Sequence, residues 1–282
     1  MTPKLKGFEK FWREIKRLFR QVRCLFVSPR CKNNTIQKQS DIVVEQKLQN
    51  HYKDITFFVQ RSISTSLLHQ KTFTRFKNIH QGREIVLVAT GPTARDYRRI
   101  AEAIHIGVNR AFQIKNIDLH YLFMQDYGVK PYIKEANRYK PDSCTKFYGL
   151  IDTFPKIMIP ESDAIEANAL RYRTDYVPDC EYPYHKYTFQ FRYSIDTEPL
   201  GDFLSVIFPA VQFAFWTNPR LIYLVGCDCT EGHFDGQKSQ ISAMPHLIPA
   251  WVKLKEFAKV YYPETDIKSI NPVGLKGIFE ER

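Results

Sequence analysis

The chain has 282 residues, 44% of them hydrophobic, which is enough for one large α/β domain with an appendage and an ample core. The net charge of +11 is concentrated in residues 1–32, where ten lysines and arginines face only two glutamates, so it describes a basic tail and excludes a nucleic-acid-binding body. Six scattered cysteines without a CxxC pair indicate a reducing, cytoplasmic compartment, and neither a membrane-spanning run of about 20 apolar residues nor a secretory signal is expected.

The amino-terminal segment 1–32 carries large apolar residues three or four positions apart, with lysines and arginines between them. This spacing predicts an amphipathic α-helix. A basic helix with an aromatic face suits the interface of an anionic membrane, which predicts a peripheral location at the inner face of the membrane; the alternative is a helix docked on its own domain or on a partner subunit. Residues 33–80 are interpreted as a linker and helical extension, with a loose helix around 43–52. The apolar positions of the first helix are Phe8, Trp12, Ile15, Phe19, Val22 and Phe26.

The stretch 84–96, EIVLVATGPTARD, begins with a short apolar run and breaks into a turn at Thr90, Gly91 and Pro92. Such a run suits a strand that is buried on both faces, as in a parallel sheet. Gly91 permits close approach of backbone or ligand, and a helix can start after Pro92. Because free N–H groups at a helix start attract anions, this turn predicts nucleotide binding.

Further strands are predicted at 106–108, 119–124 and 147–151, with a helix at 97–103. Together with the first strand they predict a Rossmann-like, doubly wound, mainly parallel sheet flanked by helices, within a domain that covers residues 81–282. Ligands of such sheets bind beyond the carboxyl ends of the strands. Thr90, Asn109 and Asp126 each follow a predicted strand and are therefore candidate binding residues, although any of them could simply cap a turn.

Residues 172–200 are rich in tyrosine, proline and charge and are interpreted as a lid-like insertion. The tyrosines at 182, 184, 187 and 193 could line a sugar site or pack. A helix at 203–216 then leads into a buried strand at 221–225, which ends in Gly226-Cys227-Asp228. A helix at 249–260 and a strand at 266–270 complete the domain.

A first strand ending in Gly-Pro-Thr, an asparagine after the second strand and a helix–strand–Gly-x-Asp unit together resemble the bacterial lipooligosaccharide sialyltransferase family. The related hydroxymethylpterin diphosphokinase-like family shares part of the pattern. The likeness covers roughly residues 85–275. It implies an inverting transfer of sialic acid or a similar acid sugar from a CMP-sugar to a glycan or glycolipid acceptor.

The resemblance also assigns roles to residues. His246 corresponds to the family's general base, an assignment that suits an imidazole with a reference pKa near 6.5, although it could merely cap or pack at the start of its helix. Asn109 corresponds to the nucleotide-binding asparagine, Ser205 to a serine that contacts the donor sugar, and Asp228 to the aspartate of the Gly-x-Asp. Thr90 stands where the family has asparagine.

The chain departs from the family where two tyrosines hold the departing phosphate. Thr230 occupies the first of these positions, and His233 or Phe234 lies near the second. A histidine can still donate to a phosphate oxygen, so His233 is retained as a substrate-binding candidate. Because of this departure, the donor could be a different nucleotide sugar. The protein could also be a relative of the family that binds its ligand without catalysing a reaction.

Several motifs do not occur. The chain contains neither G-x-G-x-x-G nor G-x-x-x-x-G-K-[ST], which removes the basis for a dinucleotide oxidoreductase or a P-loop NTPase. It also lacks the Asp-x-Asp with which many sugar transferases hold a metal, so we expect a metal-independent enzyme without a cofactor. The alternatives are diphosphokinase-like transfer to a pterin and a non-catalytic relative, and a homo-oligomer is left open.

Overall fold

The computed structural model describes residues 35–151, 155–175, 189–238 and 244–282. These residues divide into two compact units, with the boundary between Val59 and Gln60. Helix α1 (Thr35–Phe73) contributes residues to both, and it is much longer than the helix expected around 43–52. The predicted basic helix at 1–32 and the middle of the predicted lid, 176–188, lie outside the described residues. Among the helices that are described, none combines the length and the low polarity needed to cross a membrane.

The second unit is built on one eight-stranded sheet in which every neighbouring pair of strands is parallel. The strand order is β5-β4-β3-β2-β1-β6-β7-β8, so the chain moves outward from β1 in one direction and then returns to add β6 on its other side. This arrangement confirms the predicted doubly wound α/β fold. The strands are β1 (Glu84–Val88), β2 (Ile104–Val108), β3 (Tyr121–Met124), β4 (Thr145–Gly149), β5 (Leu170–Tyr172), β6 (Leu221–Val225), β7 (Asp266–Ile270) and β8 (Glu280–Glu281).

Alternate side chains of the central strands enter two separate hydrophobic cores, one on each face of the sheet. In β1, Ile85 and Leu87 point into the first core, whereas Val86 and Val88 point into the second. Burial on both faces explains why the central strands are continuous apolar runs without alternation in the sequence. The first core includes residues of helices α4 (Ile207–Trp216) and α5 (Met244–Tyr261), and the second includes residues of helices α2 (Ile133–Arg138) and α3 (Glu161–Glu166).

Helix α4 is the centre of the first core, because every one of its ten residues is buried. Phe213 lies at the middle of an aromatic cluster that joins this helix to the sheet and to the end of α1. We estimate from typical core truncations that Phe213→Ala would cost about 3–5 kcal/mol of folding free energy. The rings within 4.9–6.2 Å of Phe213 are Phe73, Phe76, Tyr121, Phe123 and Phe147.

The structure differs from the predicted elements mainly in the short connections. The helix predicted at 97–103 is absent: a 3₁₀ turn (Pro92–Asp96) is followed by irregular chain up to β2. The Tyr97 hydroxyl accepts the N–H of Ile100 and contacts Nε2 of His105, which holds this segment against the sheet in a non-helical form. Helix α4 begins at Ile207 because residues 203 and 204 adopt positive φ angles that a helix does not allow.

Candidate functional site

A pocket of about 150 Å³ lies beyond the carboxyl ends of β1, β2 and β6. This is the place where the strand order reverses, between β1 and β6. Ligands of open parallel sheets bind at such a switch point. The floor is apolar and is formed by Val108, Val206, Ile207, Leu247 and Trp251.

Seven of the ten predicted site residues line this pocket, although they come from four separate segments of the chain. Three of the ten, Pro92, Asp126 and His246, are not among the lining residues. The lining contains hydroxyls, one amide, one imidazole and one carboxylate, and no lysine or arginine of the described chain belongs to it. The seven are Thr90, Gly91, Asn109, Ser205, Asp228, Thr230 and His233.

Asp228 closes the turn after β1. The backbone N–H of Thr93 donates to Oδ2 of Asp228 at 2.8 Å, and the Thr93 hydroxyl donates to Oδ1 at 2.6 Å. Asp228 is 3% exposed, so both of these charge-assisted bonds are largely shielded from water. A carboxylate of the protein therefore occupies the position at the start of the 3₁₀ turn where an anionic ligand was expected.

The remaining amides of this turn are also used within the protein. The N–H of Gly91 donates to the carbonyl of Gly226, and that of Ala94 donates to the carbonyl of Gly91, while Pro92 has no N–H. The expectation that free backbone N–H groups at 91–94 would hold a phosphate is therefore wrong. Gly91 is required for a different reason: a Cβ there would lie 2.4 Å from Oδ2 of Asp228 and 2.4 Å from the Gly226 carbonyl oxygen.

His233 contacts the same turn from the loop after β6. Its Nδ1 lies 3.1 Å from the Thr90 hydroxyl oxygen, and the N–H of the following residue, Phe234, donates to the Thr90 carbonyl. Burial and the nearby Arg110 guanidinium lower the pKa of His233 below its ordinary value of 6.5. The imidazole is therefore neutral near pH 7, and each ring nitrogen can either donate or accept.

Arg110 anchors this loop and was missed in the sequence. Its guanidinium forms an ion pair with Asp235 and lies over the rings of Tyr132 at 4.7 Å and Phe234 at 5.7 Å. Because Arg110 is only 6% exposed and already has these partners, it acts as a support for His233 and not as a free cation of the pocket. Its position directly after Asn109 was the only signal available, and that signal was too weak to identify it.

Four non-glycine residues at or beside the pocket have positive φ angles. Asn109 and Cys229, which both line it, have φ angles of 48° and 50°, and the consecutive residues Phe203 and Leu204 have φ angles of 43° and 62°. Positive φ is unfavourable for bulky side chains and often marks functional sites. The Phe203 ring is stacked on that of Phe191, with the ring centroids 4.4 Å apart.

The three remaining predicted residues lie elsewhere. The Asp126 side chain accepts a hydrogen bond from the N–H of Gly128 at 2.7 Å and so caps a short turn after β3. Turn capping was the alternative to ligand binding for this residue. Pro92 begins the 3₁₀ turn beside Gly91. His246 is exposed in the first turn of α5; it is the chain neighbour of Leu247, which lines the pocket, but its own side chain does not.

Two coupled carboxyls, the buried Asp202 and the half-buried Asp175, were also missed in the sequence. Asp202 is fully buried and accepts hydrogen bonds from the N–H of Leu204 and from Nε2 of Gln125, both at 2.9 Å. The N–H of Asp202 in turn donates to Asp175 at 3.2 Å. Burial raises the pKa of Asp202 to about 6, and burial together with the charge of Asp202 raises that of Asp175 to about 7.

The carboxylates that could have ligated a metal near the pocket have protein partners. Asp228 is bonded to Thr93, and Asp235 is paired with Arg110. Across the ranges that the structure describes, no group of three or more histidine, cysteine, aspartate or glutamate side chains is arranged to hold a metal ion. Asp228, His233 and Asp235 are thus engaged in contacts between the loops.

No family model matches the sequence, and no curated protein matches it either. Among solved structures, the chain is similar to "Structure of MAf glycosyltransferase from Magnetospirillum magneticum AMB-1", with 13% sequence identity and a TM-score of 0.40. The similarity covers 78% of this chain and 38% of that one, so the chain spans well under half of the length of this neighbour.

Proposed function

We propose that the protein is a glycosyltransferase that transfers a sugar from a nucleotide donor, with CMP-sialic acid or a similar acid sugar as the preferred donor. The observation that carries the proposal is the convergence of residues distant in sequence. Thr90, Asn109 and Ser205, which the family resemblance assigns to the donor, line one pocket at the switch point of the sheet.

The chemistry of the lining agrees with such a donor. A volume of about 150 Å³ is below the roughly 300–1,000 Å³ of typical ligand pockets, so it would hold one ring of the donor and leave the rest at the rim. Hydroxyls and an amide can bond to a sugar or a pyrimidine in either direction. The apolar floor, which includes Trp251, would pack against the face of that ring.

In the proposed reaction, the acceptor hydroxyl oxygen forms a bond to the anomeric carbon as the bond from that carbon to the donor phosphate breaks. The nucleotide leaves with the electron pair, and a base takes the acceptor proton. His246 is the base in our proposal, because its exposed imidazole next to Leu247 is accessible to a glycan that approaches from solvent. If Thr90 donates to Nδ1 of His233, then Nε2 of His233 carries a proton and can donate to the departing phosphate.

Release of free nucleotide from a panel of nucleotide sugars tests this proposal. We expect release of CMP from a CMP-sugar that depends on the acceptor. This release should continue when EDTA removes divalent metal ions. Release from none of the donors would refute transferase activity and favour the inactive relative. A reaction that needs ATP and Mg²⁺ and transfers diphosphate to a pterin would instead support the diphosphokinase alternative.

We further propose that residues 1–32 bind an anionic membrane surface, where a lipid-linked acceptor would be available. The support is the excess of basic residues between regularly spaced aromatic and aliphatic ones. Cosedimentation with phosphatidylserine-containing vesicles at moderate salt tests this. The chain that lacks residues 1–32 should no longer sediment with them, whereas unchanged binding would assign this segment to packing.

A further inference from the structure

A second cavity, of about 290 Å³, lies at the opposite end of the sheet from the pocket. Its residues come from the segments that precede β1, β6 and β7, together with the end of α5 and Tyr193, so it shares no residue with the pocket. We call it the tyrosine cavity. It is lined by Lys77, Asn78, Tyr193, Trp216, Asn218, Tyr261, Tyr262, Pro263, Glu264 and Thr265.

The aromatic wall of the tyrosine cavity is held in place by ring contacts. The Tyr193 ring lies 5.6 Å from that of Tyr261 and 5.5 Å from that of Tyr262. Tyr262 is in turn stacked on Phe215 of the core at 4.8 Å, which fixes its orientation. Tyr193 is nevertheless 47% exposed and Tyr261 51% exposed. Two large aromatic side chains of the cavity lining are therefore accessible from solvent.

The polar groups of the tyrosine cavity are available to a ligand. Within the described residues, the side chains of Asn78, Asn218 and Glu264 form no hydrogen bond, although the backbone N–H groups of Asn78 and Asn218 are bonded to carbonyls of α4. The asparagines can both donate and accept, and the carboxylate accepts. Aromatic faces therefore lie beside side chains that can donate hydrogen bonds to the hydroxyl groups of a ligand and accept hydrogen bonds from them.

The charges of the tyrosine cavity limit the class of ligand. One ammonium, that of Lys77, lies 4.7 Å from the centroid of the Trp216 ring, where a cationic ligand would otherwise bind. The Glu264 carboxylate balances the charge of Lys77, so the lining has no net charge with which to select an ion of either sign. A neutral ring compound with one apolar face and many hydroxyls matches this combination best.

We propose that the tyrosine cavity binds a neutral sugar ring of an oligosaccharide. The C–H face of the ring would pack on Tyr193 and Tyr261, while its hydroxyls would bond to Asn78, Asn218 and Glu264. This inference does not rest on the proposed transfer reaction, because a binding protein without catalytic activity could use the same site. In a transferase, the site would hold a glycan chain at a distance from the reacting end.

Binding of lactose, maltotriose and chitotriose to the full chain tests the proposal, measured by saturation-transfer NMR and by isothermal titration. We expect saturable binding of at least one of them. Tyr193→Ala and Tyr261→Ala should each weaken that binding by about tenfold, which corresponds to the loss of one aromatic contact. Tyr193 and Tyr261 are about half exposed, so we expect both variants to fold with at most a small fall in the thermal midpoint.

Val260→Ala is the matched control, because Val260 precedes Tyr261 in α5, is 70% exposed and does not line the cavity. It should leave sugar binding unchanged. The proposal is overturned if none of the three sugars binds, or if the two tyrosine variants bind as tightly as the parent chain, which would place the sugar in the other pocket. Saturable binding of choline or inorganic phosphate in preference to the sugars would also overturn it.

Discussion

The hydrogen bonds between Thr93 and Asp228 join two segments that are 135 residues apart, and their loss should be measurable as a loss of stability. Thr93→Val keeps the shape of the side chain and removes the hydroxyl that donates to Oδ1. A hydrogen bond to a charged group is worth about 1.5–3 kcal/mol, and Asp228 is too buried for water to replace the donor fully. Because Thr93 itself is half-buried, we expect a cost of about 2 kcal/mol at most.

Urea unfolding followed by tryptophan fluorescence measures this cost, and thermal unfolding checks it. At about 2–4 °C per kcal/mol for a domain of this size, a cost of about 2 kcal/mol at most corresponds to a fall in the Thr93→Val midpoint of at most about 4–8 °C. Thr93→Ser is the matched control because it keeps the hydroxyl, and its loss should be under about 1 kcal/mol. Nucleotide binding gives a second readout, because the same turn carries Thr90 and Gly91 into the pocket.

Two results would refute this reasoning. If Thr93→Val were as stable as the parent chain, the Asp228 carboxylate would not depend on the hydroxyl, and the closed turn would need another explanation. If Thr93→Ser were destabilised as much as Thr93→Val, keeping the hydroxyl would not preserve stability, and the cost of Thr93→Val could not be assigned to the hydrogen bond with Asp228.

Three further outcomes are expected. Gly91→Ala should destabilise the fold by more than Thr93→Val, because its Cβ would lie 2.4 Å from both Asp228 Oδ2 and the Gly226 carbonyl; an unaltered urea midpoint would show that the turn is not tightly packed. His246→Ala should lower the turnover number by about 10²–10⁴ with the donor Kd largely kept; near-normal turnover would remove its assignment as base. Asp175 has a pKa of about 7 in the fold against about 3.9 when unfolded, so its contribution to stability is fully present below about pH 4 and is lost as the pH rises through 7. The thermal midpoint of the parent chain should therefore fall between pH 5 and pH 8 relative to that of Asp175→Asn, and equal pH dependence in the two proteins would contradict the raised pKa.

The central strands could be predicted from the sequence because each is buried on both faces and is therefore a short, continuous apolar run. The strand at 266–270 was predicted with the same bounds as β7, even though its residues are only partly buried. Strands β5 and β8 were missed, since three and two residues at the edges of a sheet leave too little periodicity to recognise. The predicted helix at 97–103 is absent because the Tyr97 hydroxyl bonds to the nearby N–H of Ile100 and to His105 of β2, and these contacts override helix propensity.

The pocket could be predicted only in part. Residues that directly follow a strand, such as Thr90 and Asn109, can be identified by position, because the carboxyl ends of parallel strands meet at one edge. The partners of those residues cannot be identified in this way. Asp228 bonds to Thr93 only because β6 lies next to β1 in the sheet, and the Arg110–Asp235 pair similarly joins segments 125 residues apart.

The use of the turn amides by Asp228 also bears on which nucleotide sugar the pocket would accept. A phosphate-cradling loop after β1 would have favoured a diphosphate donor, whose charge is offset by backbone N–H groups and by lysine or arginine. Here the N–H groups of 91, 93 and 94 are already bonded, and the described lining offers no lysine or arginine. The hydrogen-bond donors of the lining are a neutral imidazole and neutral hydroxyl groups. Neutral groups can balance a small negative charge on a ligand better than a large one. A CMP-sugar has one phosphate where UDP-sugars and GDP-sugars have two, but CMP-sialic acid also carries the carboxylate of its sugar, so the occupied amides argue against a diphosphate cradle and do not by themselves select the CMP donor.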